Sequence, residues 1–363
     1  MKLESGKPDY KKLFERAARI ARYQAAFILV LLLGGLFFTQ PASWLQEWWD
    51  TYAIHPVSYS PEQAAAAPPP PPEVAYWQAP DIGEEKDSLT RETLQYGKEL
   101  VINTSHYFGP QGIVEANRTN GLNCQNCHLE AGTKIFGNNY SRVAATYPKL
   151  RARSGQVEDV YKRINDCFER SLNGTALDTS SEEMRAMAAY ILYLGKDVPK
   201  GEKPLGSGFK DLPLLNRAAD PTKGRLVYEE QCQSCHQADG QGVAAGTPDM
   251  AYAPPLWGEL SYNDGAGLYR MSNFAKYVKW NMPNGASHDN EVLSDEEAWD
   301  VAAFVNSQPR PSKDLSADWP DISKKPFDHP FGPYADDFSE LEHKYGPFGP
   351  IKQFIESSSN SQP

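Results

Sequence analysis

The sequence predicts an all-α fold of two tandem helical domains built on one plan, set behind an N-terminal membrane anchor and a proline-rich stalk. Three observations carry that expectation. A short cysteine motif occurs twice, 108 residues apart. The stretches around each copy match in helical pattern, as an internal duplication should. Both copies follow a basic, then apolar, then Pro/Ala-rich N-terminal region. With 363 residues the chain exceeds what one small domain uses. Its 40% hydrophobic and 12% aromatic content can fill real cores, while 29 Pro and 27 Gly point to loop-rich architecture. Thirty-six Lys and Arg against 47 Asp and Glu leave a net charge of −11, the wrong sign for a phosphate backbone, so no nucleic-acid partner is expected.

Residues 1–50 read as a cytoplasmic basic segment and anchor. Lys2, Lys7, Lys11, Lys12, Arg16, Arg19 and Arg22 precede an uncharged run from Ala25 to Phe38, which Thr39 to Trp44 extend, and Trp44, Trp48 and Trp49 form an interfacial aromatic cluster. A removed signal peptide is the alternative, and it gives the same compartment, the periplasmic side of a bacterial inner membrane. Residues 51–80 are the stalk: Ala64 to Ala67 and Pro68 to Pro72 favour an extended spacer with no face to bury. Residues 81–205 form the first domain, 206–312 the second, and 313–363 a tail rich in Pro, Gly, Phe and Tyr, expected to pack as an extended strap.

Cys124-Gln125-Asn126-Cys127-His128 and Cys232-Gln233-Ser234-Cys235-His236 are both C-x-x-C-H, the attachment signature of c-type haem. Two thiols three positions apart reach the two vinyl groups of one porphyrin edge, and the adjacent imidazole, His128 or His236, becomes the proximal ligand. Zinc is the alternative, but it needs four ligands in close order and gives no reason for a His after both pairs. Two covalently attached haems, hence two cytochrome c domains, are expected. Leu94, Gly97, Leu100 and Val101 recur at helical spacing before the first motif, and Gly224, Val227 and Tyr228 before the second. Each half closes on a helix expected to open with a capping box, Ser180 with Glu183 and Ser294 with Glu297. Ala188-Ala189-Tyr190-Ile191 superposes on Ala302-Ala303-Phe304-Val305.

Counting from that superposition locates the distal ligands. Met282 stands 20 residues before Ala302, and Met is the usual electron-transfer ligand. Cys167 stands 21 residues before Ala188, so the unpaired thiol occupies the slot that Met282 fills in the twin. A lone Cys is otherwise a small buried hydrophobe. Its helix is expected to be capped by Ser154, ended by Gly174, and faced by Val157, Val160, Ile164 and Phe168. Arg163, Cys167 and Ser171 fall on one stripe, a cation and a hydroxyl one turn either side of the thiol. The arginines, with Arg151 and Arg153 on the approach, either bind an anion or pair with haem propionates. Met250 and Met271 are weaker candidates for the second haem. Met184 and Met187 read as core, and His106, His288 and His329 as surface or structural.

The runs Asn123 to Thr133, Phe136 to Tyr140, Tyr147 to Gly155, Tyr161 to Gly174, Pro254 to Gly258, Asn263 to Gly267, Asn281 to Pro283 and Asp300 to Arg310 resemble the dihaem, tetrathionate-forming thiosulfate dehydrogenases. The first domain is similar to the haem subunit of the periplasmic sulfur-oxidising complex. The likeness covers roughly residues 90 to 312, leaving anchor and stalk outside it. It implies oxidation of two thiosulfate ions to tetrathionate, or the reverse reduction, at a His128/Cys167 haem, with electrons leaving through a His236/Met282 haem to a small cytochrome c or terminal oxidase. Cys167 would be iron ligand and catalytic thiol, and Arg153, Arg163 and Ser171 would hold the substrate. Some members alternate a Lys with the Met ligand, but the run from Met250 to Pro255 contains none. A thiolate is itself a nucleophile, and arginines suit a dianion in a protein of negative net charge. A membrane-tethered electron shuttle and a structural cytochrome subunit of a respiratory complex are the rival functions.

Overall fold

The computed structural model describes residues 75–244, 250 and 252–360. The anchor expected over 1–50, and the stalk as far as residue 74, lie outside the described residues. Among the described residues no helix is long and apolar enough to cross a membrane.

In the first domain, helix α1 (Ser88–Ile102) opens at Asp87, whose carboxylate accepts from Thr90 N, and buries the expected face of Leu94, Gly97, Leu100 and Val101. Helix α2 (Val160–Glu169) carries Cys167, and α3 (Glu182–Leu194) closes the domain. The second domain repeats the plan with α4 (Pro221–Gln231), α5 (Met271–Asn281) and α6 (Asp295–Ser307). Each domain has its own apolar core, one around Phe108, Phe168, Met184, Met187 and Tyr190, the other around Tyr228, Met271, Phe274, Trp299 and Val301.

The duplication shows most clearly where the first and last helices of each domain cross. A Cβ on Gly97 would stand 2.0 Å from Ala186 O and 2.8 Å from Tyr190 Cβ; on Gly224 it would stand 1.8 Å from Asp300 O and 2.9 Å from Phe304 Cβ. Tyr190 and Phe304 are the residues that superpose in sequence, so both crossings need a glycine for the same reason. Gly224→Ala is accordingly expected to cost roughly 1–3 kcal/mol of stability or more, the range of overpacked cores, read as a lower denaturant midpoint at unchanged haem content.

Four local expectations are corrected. The fold contains a short antiparallel ribbon, β1 (Lys149–Arg151) with β2 (Gln156–Glu158), so the first domain is not purely helical. Ser154 lies in its turn, donating to Glu158 Oε1 at 2.6 Å, and Val157 is 69% exposed on β2 rather than on the helix face. Asp159 caps α2 instead, its carboxylate accepting from Lys162 N at 2.8 Å. Ser181, not Ser180, caps α3, because Asp178 takes both the Ser180 amide and its hydroxyl. Ser294 and Glu297 do form the expected box on α6. The tail is an extended strap only in part: it ends in α7 (Glu340–Tyr345) and α8 (Phe348–Asn360), whose Phe348 and Ile351 enter the second core.

Candidate active site

The first C-x-x-C-H motif opens onto a cavity that is partly open to solvent. Cys124, Cys127, His128, Arg163, Cys167 and Ser171 all line it, and Val101, Leu122, Ile164, Leu172, Met187 and Ile191 give it apolar walls. The two motif thiols, the adjacent imidazole and the unpaired Cys167 thus share one chamber, lined as a cofactor pocket is. His128 is fixed by two neighbours. Its Nδ1 lies 2.6 Å from Asn138 O, where it donates, which leaves Nε2 as the nitrogen with a free lone pair. Its ring stacks on Tyr140 at 4.4 Å. Burial pulls the imidazole down to about 4, so it is neutral at pH 7, as a metal ligand must be. Burial pushes the Cys124 and Cys127 thiols up to about 12. These residues fit a covalently held haem.

The arginines near Cys167 are sorted by their partners. Arg151 faces Glu158 at 3.7 Å and donates to Tyr147 OH at 3.3 Å. Arg170 makes a bidentate pair with Asp318, at 2.8 and 2.7 Å. Arg153, implied by resemblance as a substrate contact, is not among the cavity-lining residues. Its guanidinium donates to Gly265 O at 3.3 Å, lies 3.9 Å from Asp318, and sits over Trp319 at 5.7 Å. Burial and the neighbouring Arg170 pull Arg153 down to about 10. Arg163 differs from all three. Its guanidinium borders the cavity, and no hydrogen bond or ion pair to it is found among the described residues. The neighbouring Cys167 sulfur raises its affinity for a proton, outweighing its burial. An unpaired guanidinium next to a thiol and a hydroxyl is built to receive an anion.

At the second motif His236 repeats the device of His128. Its Nδ1 lies 2.9 Å from Pro254 O, and burial lowers its proton affinity. Cys232 is half-buried and Cys235 exposed. Met282 caps the C-terminus of α5 and packs, with Cys232, against the second core. Met250 is 47% exposed and Met271 is core. Lys279 is buried but already holds Glu291 at 2.8 Å, Asp295 at 3.0 Å and Leu293 O at 2.6 Å. His106 is exposed, His288 packs edge-on against Tyr76 and Phe136, and His329 is buried, its ring pulled down to about 4 by burial.

Sequence reasoning missed the residues that hold the imidazoles. Asn138 and Tyr140 lie in the run F-G-N-N-Y and Pro254 in P-P-L-W-G, both noticed only as points of likeness. Asn138 has φ of +60°, a left-handed conformation that Asn tolerates and most residues do not, so the residue type at 138 is the sequence trace of that turn.

The site and the repeated fold define a cytochrome c with two haem-attachment domains. Comparison with known proteins agrees. Residues 114–199 match the family model described as SoxA/TsdA, cytochrome c domain, and residues 221–309 the cytochrome c model. The chain is 35% identical over 237 residues to the thiosulfate dehydrogenase of Stutzerimonas stutzeri, covering 65% of this chain and 74% of that protein. It is 41% identical over 196 residues to that of Allochromatium vinosum, covering 53% and 71%. Against the Psychrobacter arcticus enzyme it is 38% identical over 207 residues, covering 56% of this chain and 61% of that one. The solved thiosulfate dehydrogenase (TsdBA) of Marichromatium purpuratum superposes with a TM-score of 0.59 at 28% identity, covering 65% of this chain and half of that one. The chain belongs to the thiosulfate dehydrogenase family, and its two cytochrome c domains bind two covalent haem c groups.

Proposed function

We propose that this chain couples two thiosulfate ions to tetrathionate, or runs the reverse reduction, in the cavity bordered by Arg163, Cys167 and Ser171. The observation that carries this reading is that cavity: one chamber holding a haem-attachment motif, an unpaired thiol and a guanidinium with no hydrogen-bond or ion-pair partner among the described residues. Cys124 and Cys127 would hold the haem by thioether bonds, with His128 and Cys167 as the residues that would bind its iron. A bound haem would supply a one-electron acceptor, and a second haem held by His236 and Met282 would supply another.

Cys167 acts as thiolate nucleophile. Its Sγ would bond the terminal sulfur of one thiosulfate, giving a cysteinyl S-thiosulfonate, and the two electrons lost are the number that two haems can accept, one each. A second thiosulfate attacks that terminal sulfur, forms the central S–S bond of tetrathionate and releases the thiolate unchanged. Arg163 and Ser171 hold the sulfonate ends of the dianions, and Arg153 adds positive field from behind the wall. The basic segment and apolar run within residues 1–50 anchor the chain, with everything after Trp49 on the periplasmic side and a small cytochrome c or terminal oxidase as acceptor.

Assay of the purified soluble part in both directions tests this directly. Turnover of neither thiosulfate nor tetrathionate rejects it, in favour of a tethered shuttle or a structural cytochrome subunit. Two covalent haems with different axial sets are expected as well, one low-spin thiolate species and one Met-ligated. A single haem per chain, or resonance spectra without a thiolate-ligated signal, would reject the ligand assignment.

A further inference from the structure

The run Asn263 to Gly267 belongs to the second domain, yet its contacts are made on the first. Helix α2 ends two residues after Cys167, and every carbonyl of its last turn is capped. Asp166 O accepts from Arg170 N at 3.1 Å, Cys167 O from Leu172 N at 2.9 Å, and Phe168 O from Gly174 N at 2.8 Å. The fourth, Glu169 O, accepts from the side-chain amide of Asn263 at 2.9 Å, and Asn263 N donates to Arg170 O at 3.1 Å. A helix end ordinarily leaves such carbonyls to water or its own chain. Here one is taken by the neighbouring haem domain.

The C-terminal segment completes the grip. Asp318, beyond the stretch matched by either family model, holds Arg170 in the bidentate pair described above, and Gly265 O lies 3.5 Å from the same guanidinium. The Trp319 amide donates to Arg153 O at 2.7 Å, with Trp319 at φ of +60°, a costly conformation for a bulky residue that only firm anchorage sustains. Arg170 directly precedes Ser171 and is one turn from Cys167, so displacing it displaces both side chains in the cavity.

We propose that Asn263 and Asp318 are positioning residues of the Cys167 site, a clamp by which the second domain and the C-terminal segment fix where the thiol and Ser171 stand. The assignment rests on Cys167 as haem ligand and nucleophile, and its test is chosen to fail separately from that reading. The full-length holoprotein is compared with Asp318→Asn and Asn263→Ala, and with Asp321→Asn as an exposed control on the same segment. Three quantities are read: the thiolate signal of the first haem by electron paramagnetic resonance, kcat and KM, and amide exchange at Leu172 and Gly174. The second haem's Met signature reports integrity.

Asp318→Asn keeps the shape and removes the charge. It is expected to broaden or split the thiolate signal, lower kcat about ten-fold, the scale of a lost charge-assisted contact, and speed exchange at Leu172 and Gly174, with the Met signature intact. Asn263→Ala should act in the same direction, and Asp321→Asn should change nothing. Wild-type signal, kinetics and exchange in both clamp variants overturn the proposal. So does lowered stability with an unchanged first-haem signal and kinetics, which marks a purely structural tie. Should the unsubstituted protein show no thiolate signal, the ligand reading falls, and unaltered amide exchange in the variants then refutes the clamp on its own.

Discussion

Cys167→Gly is expected to keep two covalent haems per chain while losing at least about 10³-fold in kcat, the scale on which removal of a nucleophile acts. The attachment proposed for Cys124, Cys127, Cys232 and Cys235 does not involve Cys167, so haem content reports on none of the chemistry assigned to it. Glycine inside α2 costs about 1 kcal/mol of helix stability, which shifts a melting curve but does not remove three orders of magnitude of turnover. Cys167→Met separates the two roles. A thioether on the same helix position can offer a ligand, raising the potential of the first haem toward that of a Met-ligated site, yet it cannot form and break the S–S bond. Turnover near the unsubstituted rate in either variant returns Cys167 to a ligand alone, and haem quantitation on the same samples excludes simple loss of cofactor.

That Cys167 could be found from sequence is a consequence of the duplication. Two domains on one plan let a count made at Met282 be applied to the other half, and the structure places Cys167 in the same chamber as the first attachment motif. The glycines at the helix crossings were legible for a similar reason, since Gly97 and Gly224 each recur at a fixed place in an apolar pattern. What escaped depends on competition between neighbours or on partners far along the chain. Ser180 and Ser181 are equivalent as caps until Asp178 claims the first. Ser154 and Asp159 are both capping types, and only the pairing of residues 149–151 with 156–158 shows that the chain is still extended at Ser154. Helix α8 hides behind Pro350 in its first turn, where proline is tolerated, although Phe348, Ile351 and Ile355 keep helical spacing. The contacts of Asp318 with Arg170, and of Asn263 with Glu169, join residues about a hundred positions or more apart, which no periodicity encodes.

Arg163→Ala is expected to lower kcat/KM for thiosulfate about ten- to a hundred-fold, the loss of one charge-assisted contact of roughly 1.5–3 kcal/mol. The structure sharpens the choice of this residue. Arg151, Arg153 and Arg170 each face a carboxylate, Glu158 or the shared Asp318, whereas Arg163 borders the cavity without a carboxylate partner among the described residues. A desolvated guanidinium with no carboxylate pair among the described residues gains most when a dianion enters. Arg163→Lys should recover only part of the loss, because an ammonium keeps the charge but not the fork that engages two sulfonate oxygens at once. The haem of the second domain should be spectroscopically unchanged throughout, since Arg163 lies in the other domain. A guanidinium that only pairs with a haem propionate predicts a different pattern: the potential or stability of the first haem shifts and KM stays near its original value. KM for thiosulfate at fixed ionic strength, measured beside the potential of the first haem, therefore decides between them, and an unchanged KM with a shifted potential rejects substrate binding by Arg163.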